Sequence, residues 1–336
     1  MTSGDELHMQ RAIALAATVR RRTSPNPWVG AVIEPGGFEG ATAPPGGPHA
    51  EVEALRSAGA AARGATLFST LEPCAHHGRT PPCVDAIVDA GIARVVVGIE
   101  DPDERVRGAG VRALRAAGVT VDVGVCAGEV RDQLAPYLKH RSTGRPYVVL
   151  KLAATLDGRT AAPDGSSQWI TGSAARMKVH EQRSQSDAIL VGTGTVLADD
   201  PSLTARGEYG ELLRDQPLPV VVGERDIPAD ARLHAHPRGV VVTGTRDVAR
   251  VLEDLHARAI RRVYVEGGPT LASAIIAAGF ADEYAIFLAP ALLGGPKAAL
   301  VDLGIGSMDA IRRLRLASVE QLGDDLYIHA LPAKEG

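Results

Sequence analysis

Three potential metal ligands and one carboxylate lie close together in the first quarter of the chain. His49 is followed two residues later by Glu51, and then come Cys74 and Cys83, each preceded by a proline. A catalytic zinc ion takes three protein ligands and leaves its fourth position to water. His49, Cys74 and Cys83 would supply those ligands. Glu51 would take a proton from the activated water and pass it to a leaving group. The four residues therefore predict a hydrolytic zinc centre.

The positions of these residues on helices decide whether they can share one ion. On a regular helix His49 and Glu51 are separated by about 200°, so both reach one metal only if it lies beyond the helix start. Pro48 is compatible with a helix that begins there. Pro82 suits the first turn of another helix, which places Cys83 where the positive helix end favours a thiolate. The alternative is a structural zinc site, which needs a fourth ligand that the sequence does not supply convincingly.

The stretch between the two cysteines resembles a known family. Residues 71–83 (LEPCAHHGRTPPC), together with 24–27 (SPNP) and 48–52 (PHAEV), are similar to the deaminase half of the bifunctional riboflavin-biosynthesis deaminase/reductases. Nucleobase deaminases use a His/Cys/Cys zinc site with a Glu that is not a ligand, and a long spacing between the cysteines is peculiar to this family. The resemblance implies that the substrate is bound by Asn26, His76, Arg79 and Thr80.

The second half of the chain resembles the reductase half of the same family. The matching segments are 151–159 (KLAATLDGR), 167–172 (SQWITG) and 187–200. Such domains are similar to dihydrofolate reductase in fold and use NADPH. The resemblance assigns cofactor contacts to Ala153, Trp169, Thr195, Asp199 and the turn Gly268, Pro269, Thr270, Leu271, Ala272, Ser273 and Ala274. It assigns the substrate pocket to Ser167, Arg183, Leu203, Arg206 and Glu266.

Residue chemistry suggests roles for three of the charged side chains. Lys151 is the candidate that polarises or protonates the sugar oxygen, because the pKa of a buried lysine is easily tuned; the alternative is a solvated strand end. Arg183 and Arg206 would clamp the substrate phosphate. Glu224 stands where relatives tend to have Ser or Thr near the cofactor. An acid facing a 2′-phosphate would repel it, so the preference for NADPH over NADH stays open.

Glycine turns alone do not identify a dinucleotide fold in the second half. The pair Gly192 and Gly194 follows a predicted strand, but Leu197 occupies the position of the third glycine in the Rossmann fingerprint. Two strand-to-helix turns remain, at 191–195 and 266–270, and each offers backbone N–H groups suited to phosphate. Plain connections between a strand and a helix are the alternative.

Helix and strand patterns alternate in both halves, which predicts an α/β protein. The first half is expected to be a three-layer sandwich, cytidine-deaminase-like by its resemblance, with helices at 6–21, 50–60, 83–90 and 110–117 and strands at 29–33, 66–70, 95–98 and 119–123. Residues 40–47 are predicted to be a loop. The second half should hold helices at 174–184, 248–257 and 270–278, strands at 147–152, 188–191, 219–222, 239–242, 262–266 and 283–288, and a final hairpin at 314–322 and 325–331. Gly144 and Pro146 mark a boundary, so we predict a zinc-dependent pyrimidine deaminase domain at 1–144 and an NADPH-dependent reductase domain at 145–336.

The length, net charge and aromatic content of the chain help to decide between classes of function. The 336 residues are enough for two domains, and the net charge of −4 with 4% aromatic residues argues against a deaminase of nucleic acids. Two more interpretations stay open, a zinc-stabilised binding module and a reductase with a decayed first domain. We see neither a targeting segment nor an apolar span of membrane length, so we expect a cytoplasmic protein. A homo-oligomer is expected because related reductase domains associate.

The predicted enzyme therefore performs two reactions on a small pyrimidine ribosyl phosphate. A zinc hydrolase would deaminate 2,5-diamino-6-ribosylamino-4(3H)-pyrimidinone 5′-phosphate. An NADPH oxidoreductase would then reduce the ribosyl chain to give 5-amino-6-(5-phospho-D-ribitylamino)uracil.

Overall fold

The chain divides into two compact units, Met1–Gly144 and Arg145–Gly336, each with its own sheet. The computed structural model describes residues 3–77, 81–103 and 107–333. Two of the predicted substrate ligands, Arg79 and Thr80, lie outside the described residues. Both units alternate helices and strands, and the predicted α/β class is confirmed.

The first unit surrounds a five-stranded mixed sheet. Its helices are α1 (Ser3–Val19), α2 (Ala50–Ala58), α3 (Cys83–Asp89), α4 (Ala109–Ala116) and α5 (Ala127–Thr143). Its strands are β1 (Gly30–Glu34), β2 (Phe38–Ala41), β3 (Thr66–Leu71), β4 (Arg94–Ile99) and β5 (Thr120–Val123), in the order β2-β1-β3-β4-β5. Strand β1 is antiparallel to both neighbours, whereas β3, β4 and β5 are parallel. The carboxyl ends of those three strands therefore lie at one edge of the sheet.

Two glycines show that helices cover both faces of this sheet. A Cβ on Gly30 would lie 1.9 Å from the Ala12 carbonyl oxygen of α1, and one on Gly40 would lie 2.2 Å from the Ala50 oxygen of α2. Gly40 pairs with Ala31, the residue after Gly30. Because successive strand residues point to opposite faces, α1 and α2 pack on opposite sides. This is the predicted three-layer sandwich.

One local prediction in this unit is wrong, and one helix was not predicted. The sequence predicts only a loop at residues 40–47, yet β2 extends to Ala41. Gly40 has no side chain that would indicate a strand. Its lack of a Cβ instead allows α2 to pack closely against β2. No helix is predicted from the pattern around 127–143, yet α5 runs through Pro136. Proline disfavours a helix interior, and the contacts of α5 with α1 and β4 outweigh that preference.

The second unit contains an eight-stranded sheet in the order β12-β13-β11-β6-β10-β7-β8-β9. Its strands are β6 (Tyr147–Thr155), β7 (Ala188–Gly192), β8 (Leu218–Val222), β9 (Val241–Val242), β10 (Arg262–Val265), β11 (Glu283–Ala289), β12 (Leu314–Leu322) and β13 (Asp325–Pro332). Its helices are α6 (Ser173–Ser184), α7 (Thr193–Asp199), α8 (Val248–Ala257) and α9 (Pro269–Ala277). Short 3-10 helices lie at Arg232–Ala235 and Met308–Ala310 in this unit and at Gly59–Ala62 in the first unit.

The core of the second unit lies on both sides of this sheet. Helices α8 and α9 bury their apolar sides with Val148, Leu190 and Val263 in one cluster, and Val196 of α7 packs with Ile189 in another. Strands β11, β6, β10, β7, β8 and β9 are parallel to their neighbours in that series. The terminal hairpin β12–β13 is antiparallel, as predicted. Among the described residues no helix is long and apolar enough to cross a membrane.

Candidate active sites

Two helix starts and one strand end converge on the predicted zinc ligands. His49 is the N-cap of α2 with extended backbone, and Cys83 is the first residue of α3. Cys74 follows the end of β3 by three residues. Helices α2 and α3 therefore both begin at the site. The spacing of His49 and Glu51 predicted such a position, with the metal beyond the start of the helix. The positive ends of both helices favour the thiolates that bind a metal.

The separations among the three ligand atoms fit a zinc ion. His49 Nδ1 lies 3.2 Å from Cys83 Sγ and 3.5 Å from Cys74 Sγ, and all three ligand atoms lie within 4.8 Å of one another. Zinc–sulfur and zinc–nitrogen bonds in a tetrahedral site place such atoms about 3.5 Å apart. The donor set and its spacing therefore suit a zinc with three protein ligands and one open position.

The carboxylate of Glu51 is buried beside these ligands. Its side chain is 3% exposed, and burial raises its pKa to about 7, although His49 opposes that rise. A general acid and base works best with a pKa near the working pH. This environment suits the proton-transfer role predicted for Glu51, which stays a prediction.

The two thiols differ in acidity before any metal is bound. The pKa of Cys74 falls to about 4, first because the Cys83 thiol donates to its sulfur and then because His49 lies beside it. The pKa of Cys83 is raised by the same pair and by burial. The pKa of His49 is raised by its hydrogen bond with Cys74. A bound cation would compete with these protons, so metal binding should release at least one.

Glu72, which the sequence analysis did not single out, fixes the segment that carries Cys74. Its buried carboxylate accepts backbone N–H bonds from Asp101 at 3.2 Å, Gly108 at 2.9 Å and Val111 at 3.1 Å. A second contact lies beside it, because a Cβ on Gly110 would come within 1.9 Å of the Pro73 carbonyl oxygen. The signal available in the sequence was a Glu directly after an apolar strand pattern and before Pro73, since carboxylates are seldom buried without partners.

The predicted substrate ligands of the first unit occupy two loops. Asn26 is half-buried in the turn before β1, where its N–H donates to the Thr23 carbonyl oxygen at 2.7 Å. His76 is exposed in the bend after Cys74. Their roles in substrate binding stay predictions.

In the second unit, Lys151, Arg183 and Glu266 meet in a charged cluster. Arg183 donates from Nε and Nη2 to the two carboxylate oxygens of Glu266, at 2.6 and 2.9 Å. Lys151 Nζ lies 3.9 Å from Glu266 Oε2. Burial lowers the pKa of Lys151, Glu266 and Asp199 oppose that effect, and Arg183 adds to it. Lys151 therefore lies within β6 and not at a solvated strand end, and its role in the reaction stays a prediction.

Arg183 is already engaged by protein groups. Its guanidinium forms the bidentate bond to Glu266 and also donates to the Thr204 carbonyl oxygen at 2.9 Å. The sequence suggested that Arg183 is free to clamp the substrate phosphate, but its guanidinium is already bound by these protein groups. Its contact with the substrate phosphate stays a prediction. Arg206 is exposed, and Leu203 is buried with a positive φ of 56°.

The two predicted glycine turns lie side by side. Helix α7 begins after Gly192 and helix α9 after Gly268, on the neighbouring parallel strands β7 and β10. The Thr195 hydroxyl accepts a bond from the Gly268 N–H at 3.1 Å and joins the turns directly. Asp199, at the end of α7, lies near enough to Lys151 for the two charges to shift each other's pKa.

The remaining predicted cofactor residues differ in exposure. Three residues of α9 are buried in the core, namely Leu271, Ala272 and Ser273. A contact between this segment and the cofactor would therefore involve the exposed Thr270 at the helix start or the exposed Ala274. Ala153 is half-buried on β6.

The loop between β6 and α6 carries Ser167 and Trp169. Ser167 is half-buried. Trp169 is 70% exposed, and the guanidinium of Arg176 lies 4.6 Å from its ring centroid. The exposed indole ring is large enough to cover a planar ligand. The predicted contact of Trp169 with the cofactor is compatible with this exposure and stays a prediction.

Comparison with known proteins assigns each unit to a family. Residues 2–99 match the cytidine and deoxycytidylate deaminase zinc-binding region, which includes all three predicted ligands. Residues 146–328 match the RibD C-terminal domain. The matched regions correspond to the two halves of the resemblance found in the sequence.

Several relatives match this chain along nearly its whole length. The riboflavin biosynthesis protein RibD of Mycobacterium tuberculosis is 46% identical over 325 residues, which cover 95% of each chain. The protein of that name from Escherichia coli is 39% identical, over 98% of this chain and all of its own. Among solved structures, Acinetobacter baumannii RibD superposes with a TM-score of 0.91 at 39% identity, covering 98% of this chain and 99% of that one.

A further solved structure is named by the two activities. The Thermotoga maritima diaminohydroxyphosphoribosylaminopyrimidine deaminase/5-amino-6-(5-phosphoribosylamino)uracil reductase superposes with a TM-score of 0.84 at 34% identity, covering 98% of this chain and 99% of that one. The identities and coverage extend over both units, and both sets of predicted site residues fall inside the matched regions. This chain belongs to the RibD family of riboflavin biosynthesis proteins.

Proposed function

We propose that this protein is a bifunctional enzyme of riboflavin biosynthesis in which the first unit deaminates and the second reduces. The substrate of the first reaction is 2,5-diamino-6-ribosylamino-4(3H)-pyrimidinone 5′-phosphate, and the product of the second is 5-amino-6-(5-phospho-D-ribitylamino)uracil. The observation that carries the proposal is the group of His49, Cys74 and Cys83, with Glu51 buried beside it.

In the first unit, the protein holds the metal and moves the protons. His49 Nδ1 and the two cysteine sulfurs are the proposed ligands. When bound, zinc supplies the Lewis acidity that makes water a nucleophile near neutral pH. Glu51, with a pKa of about 7, accepts a proton from the attacking water and donates one to the departing ammonia. Glu72 keeps Cys74 in place through the backbone donors that it binds.

In the second unit, we assign cofactor binding to the two joined helix starts and substrate binding to the charged cluster. The N–H groups at the starts of α7 and α9 suit the pyrophosphate of NADPH, which supplies a hydride when bound. Lys151 donates a proton or hydrogen bond to the sugar oxygen as the carbon beside it is reduced. Its position beside Glu266 and Asp199 supports this role.

The preference for the phosphorylated cofactor receives support from the surroundings of Glu224. Its carboxylate lies 3.2 Å from Arg246 Nε, with both side chains exposed. The ion pair offsets the negative charge that would otherwise repel a 2′-phosphate. Direct comparison of NADPH and NADH affinities tests this assignment.

The deaminase proposal is tested by measuring zinc content and ammonia release in the wild type and in Glu51→Gln. The variant should keep one zinc per chain and lose ammonia release by at least a hundredfold, since a positioned acid or base contributes about 10²–10⁴ in rate. Glu53→Gln is the matched control on the same helix, because Glu53 is paired with Arg56 on the surface, and it should keep full activity. Zinc-loaded wild type that releases no ammonia would overturn the proposal.

The reductase proposal is tested on the same preparation. NADPH oxidation should require the deaminated intermediate and should continue in Glu51→Gln when that intermediate is supplied. Lys151→Met should reduce this oxidation strongly while NADPH still binds. A reductase that acts equally well on the diamino substrate would contradict the proposed order of the two reactions.

We also infer that the enzyme is cytoplasmic and forms a homo-oligomer. The two thiols assigned to zinc must stay reduced, which suits a reducing compartment. Residues 291–322 expose large apolar side chains, among them Leu292 at 82%, Met308 at 75% and Leu316 at 60%. Such exposure is typical of an association surface, and a second copy of the chain is the proposed occupant. Light scattering should show the oligomer, and Leu316→Lys should weaken it.

A further inference from the structure

The peptide group between Thr171 and Gly172, two residues after Trp169, is bound at both of its polar atoms. The carboxylate of Asp325 accepts the Gly172 N–H at 2.6 Å. Arg176, near the start of α6, donates from Nη1 to the Thr171 carbonyl oxygen at 2.7 Å. Because a peptide group is planar, bonds to these two atoms fix its orientation. The backbone just after Trp169 is therefore held in place.

One of the two anchors comes from the terminal hairpin of the same unit. Asp325 is the first residue of β13, is 4% exposed and lies 153 residues from Gly172 in sequence. Gly172 is the N-cap of α6 and has no side chain that could cap it. The positive end of the helix favours a carboxylate at this place. The position of this peptide group is therefore set by the sheet and not by the loop alone.

The guanidinium of Arg176 also lies over the indole ring of Trp169. Its Cζ atom is 4.6 Å from the ring centroid, which is within the range of an attractive cation–π contact. A guanidinium is planar, so it can stack on an aromatic face while its N–H groups donate in its own plane. Arg176 therefore connects the indole to the anchored carbonyl group of Thr171.

This contact leaves one face of the indole open. Trp169 is 70% exposed although Arg176 covers one face of its ring, so the opposite face is available to a planar ligand. Exposed side chains change rotamer in picoseconds to nanoseconds, and a ligand that stacks on such a ring must stop this motion. A ring that is already held avoids this cost, which for one side chain is about two- to tenfold in affinity.

We propose that Arg176 is a positioning residue for the cofactor, because it holds the indole of Trp169 with one face free for a planar ring of NADPH. This inference rests on the proposed reductase function and on the cofactor contact predicted for Trp169. The guanidinium of Arg176 is engaged by the indole and by the Thr171 carbonyl. Arg176 therefore acts through the ring and not by binding a phosphate of the cofactor.

The first test measures the motion of the ring in the free enzyme. The chain has two tryptophans, so Trp28→Phe leaves Trp169 as the only source of indole fluorescence. In that background, Arg176→Ala should add a fast nanosecond component to the anisotropy decay. Arg176→Lys keeps the charge but not the planar group, and should restore the slow decay only in part. Identical decays with arginine and alanine would show that Arg176 does not hold the ring.

The second test is a double-mutant cycle on the KM for NADPH. Arg176→Ala should raise this KM by about two- to tenfold and leave kcat nearly unchanged. In Trp169→Ala, the same substitution should have no further effect, because Arg176 acts through the ring. Arg20→Ala is the matched control, since its guanidinium lies 5.1 Å from the ring centroid of Trp28 in the first unit. It should leave the KM for NADPH at the wild-type value.

The possible outcomes distinguish this inference from the proposed function. If Arg176→Ala weakens NADPH binding equally with and without Trp169, its charge acts directly on the cofactor and the positioning role is overturned. A lower melting temperature with a wild-type KM for NADPH would overturn it as well, because only a structural role would remain. Wild type that neither binds nor oxidises NADPH would overturn the reductase function, whereas a change of anisotropy in Arg176→Ala would still support its hold on the ring.

Discussion

Replacing Glu266 by glutamine keeps the size of the side chain and removes a negative charge from between two cations. Arg183 holds both carboxylate oxygens, and Lys151 Nζ lies 3.9 Å from one of them. The Glu266 side chain is 8% exposed and that of Lys151 is 21% exposed, so water screens their attraction only weakly. After the substitution, Lys151 faces the uncompensated charge of Arg183. Its pKa, already lowered by burial, should therefore fall further.

The distance sets an upper bound on the change. At an effective dielectric constant near 20, unit charges about 4 Å apart attract by about 4 kcal/mol. That energy corresponds to about a thousandfold in the proton dissociation constant of the ammonium group. Water that enters the site and the dipole of the glutamine side chain reduce this effect. We therefore expect the proton dissociation constant of Lys151 to increase at least tenfold. Between the native and unfolded pKa values the unfolded chain binds the extra proton, so stability of the variant should rise with pH across that window.

The chain has five lysines, which makes a direct measurement practical. Carbon-13 NMR of reductively methylated protein would follow each lysine against pH, with Lys151→Arg identifying the resonance. Lys178, which pairs with Glu181 at 3.0 Å, is the internal control, and its resonance should be the same in the wild type and the variant. If Lys151 titrates identically in wild type and Glu266→Gln, the two groups are not coupled and the argument for a tuned lysine fails.

Three further predictions concern the zinc site and its support. In Glu72→Gln, an amide NH₂ group would face backbone N–H donors that the carboxylate now accepts. Zinc affinity measured by chelator competition should therefore fall by about 10–100-fold, whereas Glu53→Gln should leave it unchanged. Gly110→Ala, whose Cβ would lie 1.9 Å from the Pro73 oxygen, should lower the free energy of unfolding by about 1–3 kcal/mol. Gly128→Ala meets nothing within 4 Å and should raise it by up to about 1 kcal/mol; equal effects in urea denaturation would contradict the packing argument. Removing zinc should stop ammonia release and spare NADPH oxidation on the deaminated intermediate, and loss of both would argue against separate sites.

The zinc ligands could be predicted because each belongs to a short segment with a recognisable pattern of its own, although His49 and Cys83 lie 34 residues apart. His49 and Glu51 lie two residues apart, and the prolines beside the cysteines mark where a strand ends and a helix begins. Backbone geometry at a helix start then determines which side chains can meet one ion. Element types were predictable for the same reason, since apolar periodicity reports burial over a few neighbouring residues.

The supports of the sites could not be predicted, because their partners are distant in sequence. Glu72 binds N–H groups that lie 29, 36 and 39 residues further along the chain. Arg183 meets Glu266 across 83 residues, so the sequence presented it as a free cation available for phosphate. The residue types were informative in each case, but only the fold determines which groups satisfy a buried charge.

Thr195, which is predicted to contact the cofactor, has a structural role that the sequence did not suggest. Its hydroxyl accepts the Gly268 N–H at 3.1 Å and so joins the starts of α7 and α9. The contact exists because β10 pairs with β7, although β8 and β9 separate them in sequence. Carboxyl ends of neighbouring parallel strands lie at one edge of a sheet, and ligands of such sheets bind there. The hydroxyl thus fixes the spacing of two donor-rich turns, which a cofactor with two adjacent phosphates would require.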